Sequence, residues 1–167
     1  GEYPPTWVRQ EAVTTTVFSS GGNAVNETRL YYETKRQNNA QYGNLTQVQE
    51  VADGVLQRTT LTEYYPNPAA HIVNRPGRTL VYDAAGVCRS EVRSSYDMLD
   101  NAAGSDFRQP PSKGLLTERA QALKNCSDTG WLATNNGDWQ IERYKYDGYG
   151  NRIQTRLLGA TGDSVDR

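Results

Sequence analysis

Turn signals of one kind punctuate this chain and limit what it can fold into. "SSGGNA" (19–24) separates "AVTTTVF" from "VNETRLYYE", and "ADGV" (52–55) separates "LTQVQEV" from "LQRTTLTEYY". "YDAAGV" (82–87) separates "RTLV" from "CRSEVRSSY", and "YDGYGN" (146–151) separates "WQIERYK" from "RIQTRLL". Asp53-Gly54 is the sharpest of these signals, because a two-residue hairpin turn needs positive φ at both central positions. The flanking segments are rich in Thr, Val and Tyr, residues that suit a pleated surface. Turn signals of this density predict an all-β chain of successive antiparallel hairpins.

The prolines agree. Pro66, Pro68, Pro76, Pro110 and Pro111 fall outside the strand-like runs, as they must when proline cannot donate to a central ladder. The segment 98–114 has little pattern and reads as a loop. "LLTERAQALKN" (115–125) carries helix formers, yet it stands before another Tyr-bearing strand, and we assign it to a strand. Residues 1–167 are read as a single β segment.

The strand faces exclude an ordinary sandwich. Ile141, Arg143 and Lys145 share one side of their strand, and Glu142, Tyr144 and Tyr146 the other. Leu45, Gln47, Gln49 and Val51 similarly oppose Thr46, Val48 and Glu50. Neither strand has the clean apolar side that two packed sheets require. Leu, Ile, Val and Phe make up only about 17% of the chain, below the ordinary globular range. Disorder is the usual reading of so thin an aliphatic content, but disorder goes with high net charge and few aromatics. This chain has a net charge of −1, with 11 Tyr and 3 Trp. A single-layer sheet covered by Tyr and Thr, with one side facing a partly wet interior, fits better.

A motif recurs across these hairpins. "QYGNLTQV" (41–48) and "GYGNRIQT" (148–155) share Tyr-Gly-Asn-x-x-Gln, and Tyr82-Asp83, Tyr96-Asp97 and Tyr146-Asp147 repeat a Tyr-Asp pair. Gly43 and Gly150 can take the positive φ of a tight turn, and Asn44 and Asn151 either tolerate that region or bond the turn backbone. Asp147 is placed to accept from turn amides, and Tyr146 to pack over the neighbouring hairpin. The expected device is a turn lock built on Tyr42, Gly43, Asn44, Asp53, Gly54, Tyr82, Asp83, Gly86, Tyr96, Asp97, Tyr146, Asp147, Gly150 and Asn151.

With "YDGYGN", "QYGNLTQVQE", "VYDAAGVCRSEVRSSYD" (81–97) and "TEYYPNPAAHIVNRPGR" (63–78), the chain resembles the YD-repeat or Rhs family. That family includes the C component of insecticidal toxin complexes and the teneurins. The resemblance runs from about Thr28 to Leu157. It implies a curved single-layer sheet, part of a ribbon of β-hairpins that spirals into a hollow shell around a C-terminal toxin or effector. The expectation is then a non-enzymatic wall segment of an exported protein, secreted or at the cell surface. Its partners would be neighbouring repeats and the enclosed effector, and unpaired strand edges would invite self-association. Two departures stand out. Asn39-Ala40 occupies a place where Tyr-Asp is expected, and without an Asp-Pro-x-Gly segment no self-cleavage is expected.

Sites of chemistry are sparse in the sequence. His71 is the only histidine, with no nucleophile setting around it. Cys88 and Cys126 lack the paired spacing of a zinc site and are left as either a disulfide or free thiols. No metal or cofactor is expected. Glu33, Glu63, Glu91 and Asp97 are carboxylates that a glycosidase dyad would use, but the alternation in "RSEVR" and "TERAQ" favours charge pairs between strands. The near-zero net charge leaves no footprint for nucleic acid. The alternative to a wall segment is a glycan- or cell-surface-binding β module, with Trp7, Trp131, Trp139, Tyr31, Tyr32, Tyr64 and Tyr65 as a stacking platform.

Overall fold

The computed structural model describes residues 11–19, 22–33, 42–98, 106–123, 126, 138–158 and 164–166. It contains strands β1 (Ala12–Ser19), β2 (Gly22–Tyr32), β3 (Leu45–Ala52), β4 (Val55–Tyr64) and β5 (Pro76–Asp83). These continue with β6 (Cys88–Tyr96), β7 (Leu116–Ala122), β8 (Trp139–Tyr146), β9 (Arg152–Leu158) and β10 (Ser164–Asp166). A 3₁₀ turn, Pro68–Ala70, interrupts the connection from β4 to β5. All ten strands lie in one sheet in sequence order, each antiparallel to the last. Each strand packs only against its sequence neighbours, so the described sheet is open and has no second layer. The all-β hairpin fold expected from the turn signals is the fold observed, and "LLTERAQALKN" supplies a strand. Among the described residues no helix is long and apolar enough to cross a membrane, which says nothing of a β-barrel.

The four turn signals each join two consecutive strands. Asp53 (φ 48°) and Gly54 (φ 78°) both take the left-handed region, the two-residue turn that Asp-Gly favours. Between Ser19 and Gly22 the pairing also closes over two residues.

Six of the nine pairings carry a register shift, and each lies close to a turn. In each, the strand leaving the turn holds one residue more than its partner: Thr46, Gln57, Gly77, Arg89, Thr117 and Ile153. An extra residue bends its strand and increases the local twist. Repeated at successive hairpins, it gives the sheet a consistent reason to curve.

Register places one set of side chains on a common face. From β5 to β9 this set runs through Arg78 and Leu80, Glu91 and Arg93, Glu118 and Ala120, Trp139 and Ile141, and Leu158. Ile141 is 1% exposed and Trp139 4%, and they pack with Ala120, Ala122 and Leu158. Charged groups are buried in the same face. Glu91 is wholly buried and receives Arg78 Nε at 2.8 Å and Arg93 Nε at 2.7 Å. Arg78 and Arg93 are direct cross-strand partners, so the carboxylate between them offsets a like-charge contact. The Arg93 guanidinium sits 4.4 Å from the Trp139 ring and 5.1 Å from the Phe107 ring. Glu118 accepts from its cross-strand partner Arg143 at 2.9 Å. The charge pairs expected from "RSEVR" and "TERAQ" are therefore present, although Glu91–Arg93 runs along one strand rather than across two.

Candidate functional site

Four turns share one construction. In each, an acidic residue ends or follows a strand, and its backbone N–H donates to the carbonyl just beyond a glycine of positive φ. Asp147 N donates to Asn151 O at 2.9 Å, past Gly150 (φ 87°). Asp83 N donates to Val87 O at 3.0 Å, past Gly86 (φ 76°). Asp97 N donates to Leu115 O at 2.8 Å, past Gly114 (φ 80°), and Glu33 N to Asn44 O at 3.0 Å, past Gly43 (φ 75°). A side chain at any of these glycines would meet a backbone conformation that L-residues rarely adopt.

The acid side chain fills the turn it opens. Asp83 Oδ1 accepts from Ala85 N and Val87 N, and Asp147 Oδ1 accepts from Tyr149 N and Asn151 N, at 2.9–3.0 Å. Asp97 does more. Its Oδ2 accepts from Ser112, Lys113 and Gly114 N, and its Oδ1 from Leu115 N, at 2.7–2.9 Å. Burial pushes the Asp97 carboxyl up, but these four amides outweigh it and hold the group below the ordinary aspartate range. Bonds from Asn151, through its side chain and then its backbone, hold Asp147 low, and the Val87 amide followed by the Arg89 guanidinium does the same for Asp83.

The tyrosines that end β4, β6 and β8 reach across to the start of the preceding strand. Tyr64 OH donates to Leu45 O at 3.1 Å, Tyr96 OH to Pro76 O at 3.0 Å, and Tyr146 OH to Leu116 O at 2.8 Å. Leu45, Pro76 and Leu116 are the first residues of β3, β5 and β7. One end of the sheet is thus a ladder in which each hydroxyl ties one hairpin to the strand start before it. Burial raises the Tyr64 and Tyr96 phenols above their usual value. Tyr82-Asp83 belongs to the opposite end, where Asp53 also bridges strands: its Oδ1 accepts from Val25 N and its N–H donates to Val25 O, both at 2.8 Å.

Most of the expected turn residues are therefore brought into this device, and of the two roles open to Asn44 and Asn151 the hydrogen-bonding one is taken. Asn44 and Asn151 do not take positive φ. Asn44 Nδ2 instead donates to Glu33 Oε1 and Val73 O, and Asn151 Nδ2 to Asp147 Oδ2. Asn39-Ala40 lies outside the described residues, and the pair serving the first turn is Tyr32-Glu33, with Glu33 Oε2 accepting from Tyr42 N at 2.9 Å. The longer glutamate side chain still reaches the turn, which a search for Tyr-Asp alone passes over. A usable signal was present: Tyr32, Tyr64 and Tyr96 stand at equal intervals of 32 residues.

Among the described residues, one member of the expected stacking platform is turned inward. Trp139 is buried beneath Arg93, because its position in β8 faces the dry side, and only Tyr31 of the named tyrosines is exposed. Trp7 and Trp131 lie outside the described residues. Of the four carboxylates, Glu33 and Asp97 serve their own turns, whereas Glu63 and Glu91 both pair with Arg78, at 3.8 and 2.8 Å, and Glu63 also accepts from Tyr65 OH. Desolvation, with Glu63 beside it, pushes the Tyr65 phenol up to about 12. His71 caps the 3₁₀ turn in the left-handed region and is exposed. Cys88 and Cys126 form a disulfide, which decides the alternative left open by the sequence. Among the described residues no cluster of His, Cys, Asp or Glu is placed to hold a metal ion. An open groove of about 330 Å3 runs between the Asp97 and Asp147 turns, with Ser112, Lys113, Tyr144 and Lys145 in its lining. Comparison with protein families, curated proteins and solved structures finds no match to this chain.

Proposed function

We propose that this chain is a non-enzymatic structural segment of a YD-repeat or Rhs-type shell, one strip of a container wall around a C-terminal toxin or effector. The observation that carries this reading is the ladder at one end of the sheet. Its tyrosine hydroxyls are taken up by the strand start before them, and its carboxylates by their own turns. Such a device extends a ribbon by adding hairpins. A face that mixes Arg, Glu, Trp and Ile suits a wall with a partly wet inner side. A disulfide spanning 38 residues of sequence suits an oxidising compartment and hence export to the outside or the cell surface.

The parent reading frame tests the proposal. It should contain further Tyr-acid turns with a positive-φ glycine on at least one side of this segment, and a separate effector region after them. In the intact protein that effector should resist protease until the wall is unfolded. A reading frame without flanking repeats, or an effector cleaved as fast inside the intact protein as alone, overturns it. A glycan-binding module is favoured only by the groove beside Tyr144, and titration with soluble sugars separates the two readings.

A further inference from the structure

We propose that β1 is a pairing edge, and that two copies of this chain join through it, β1 against β1 about a two-fold axis at Thr15. The Glu11 carbonyl accepts from Leu30 N at 2.7 Å. Antiparallel bonding alternates from residue to residue, so the odd-numbered positions of β1 bond to β2. The N–H and C=O groups of Ala12, Thr14, Thr16 and Phe18 then point away from the sheet. Only another extended strand satisfies four such donor and acceptor sets in a row. Natural edges are usually guarded by charge, proline or a bulge, and "AVTTTVFS" has none of these: it is uncharged and pairs with β2 without a register shift.

The sequence of β1 selects a second copy as the occupant. Rotation about Thr15 pairs Thr14 with Thr16 of the second copy and Ala12 with Phe18 of the second copy. The same rotation sets Val13 opposite Val17 of the second copy. Val13 and Val17 are 42% and 53% exposed in one chain. In this register they fall at positions without mutual backbone bonds, where opposed side chains lie closest. Two exposed valine pairs are covered by one symmetric contact. The other end of the sheet is built differently. β10 has three residues, and the part of β9 beyond it carries Arg152 and the bulged Ile153. Among the described residues, one open edge and one guarded edge give a closed dimer, since a pair joined β1 to β1 then presents guarded edges alone.

Sedimentation and light scattering of the full chain across a dilution series should show a species of twice 18.6 kDa that dissociates on dilution. Thr14→Pro removes an outward N–H, and Val17→Lys places a charge in the valine contact; each should return the mass to the monomer. Ile153→Lys on the guarded side should leave the dimer intact. With Thr15→Cys, mild oxidation should link two chains, whereas Thr16→Cys, which lies off the axis, should not. A monomer at every concentration, polymers beyond the dimer, or a dimer that survives both β1 changes with no Thr15→Cys link overturns the proposal. It is separable from the shell reading: repeats preceding β1 in the parent would fill the same edge and overturn this proposal while supporting that one, and repeats after β10 leave both standing.

Discussion

The two halves of the sheet share a strand pattern but differ in dryness. On the face that buries Ile141, the β1–β4 half presents Arg29, Tyr31, Gln47, Gln49 and Thr59, and among the described residues only Val51 there is buried. The β5–β9 half buries Leu80, Glu91, Arg93, Ser95, Glu118, Ala120, Trp139, Ile141 and Leu158 on the same face. Segment 106–115 accounts for part of the difference. Phe107 and Pro111 are buried, with Phe107 set edge-on to Tyr65 at 5.8 Å and against Arg93. A Cβ on Gly77 would lie 2.6 Å from Phe107 O and from the Tyr65 ring, so the chain crosses there against bare backbone. The comparison teaches that a single-layer sheet becomes dry where a connection folds onto it, even when the strands beneath carry charges.

The sharpest way to break this comparison is to hollow the dry half. Ile141→Ala should cost about 2–5 kcal/mol in denaturant unfolding, whereas Thr59→Ala on the same face of the polar half should stay within about 0.5 kcal/mol. Equal losses would show that the two halves are stabilised alike.

Next in size is the anchor of the connection. Asp97→Ala removes the acceptor of four amides and should cost about 1–2 kcal/mol, less than a buried charged acceptor because water can reach the exposed ones. It should also raise hydrogen exchange in segment 106–115 and leave β1–β4 unchanged. Unaltered exchange in that segment would detach Asp97 from the dryness of the face.

Smaller still is a single rung of the ladder. Tyr146→Phe deletes the donor to Leu116 O and should lower stability by about 1 kcal/mol, with the loss appearing in faster exchange at the β7–β8 pairing. A silent substitution would reduce the ladder to ring packing.

The gentlest probe is pH. Asp83, Asp97 and Asp147 all sit below their ordinary value of 3.8 in the folded chain. As pH falls past that value the unfolded chain binds protons first, so stability present above it is lost as pH drops through the folded values. At the alkaline end, desolvation followed by the Glu142 contact lifts Tyr144 to about 12, and Tyr64 and Tyr96 are raised as well. The unfolded phenols ionise first as pH rises past 10, and stability should decline from there toward the folded values. Melting temperatures across both windows test the signs, and Asp97→Asn should flatten the acid slope.

The turns were legible because their physics is local. Asp147, Gly150 and Asn151 meet within five residues, and Asp53-Gly54 within two, so composition at those positions is enough to place a bend and to predict strands around it. The same reasoning reached Tyr-Asp but stopped short of Tyr32-Glu33, whose turn closes over a longer connection and uses a longer acid. Which face is dry was beyond reach. Burial of Trp139, the pairing of Cys88 with Cys126, and the seat of Arg93 between two rings depend on strands brought together from distant parts of the chain. A one-residue difference in register would turn Trp139 to the other side. The sequence by itself determined where the chain bends and that it pairs with itself hairpin by hairpin. Only the tertiary structure decided what those hairpins bury, because burial is a property of the neighbour across the sheet and no residue carries it alone.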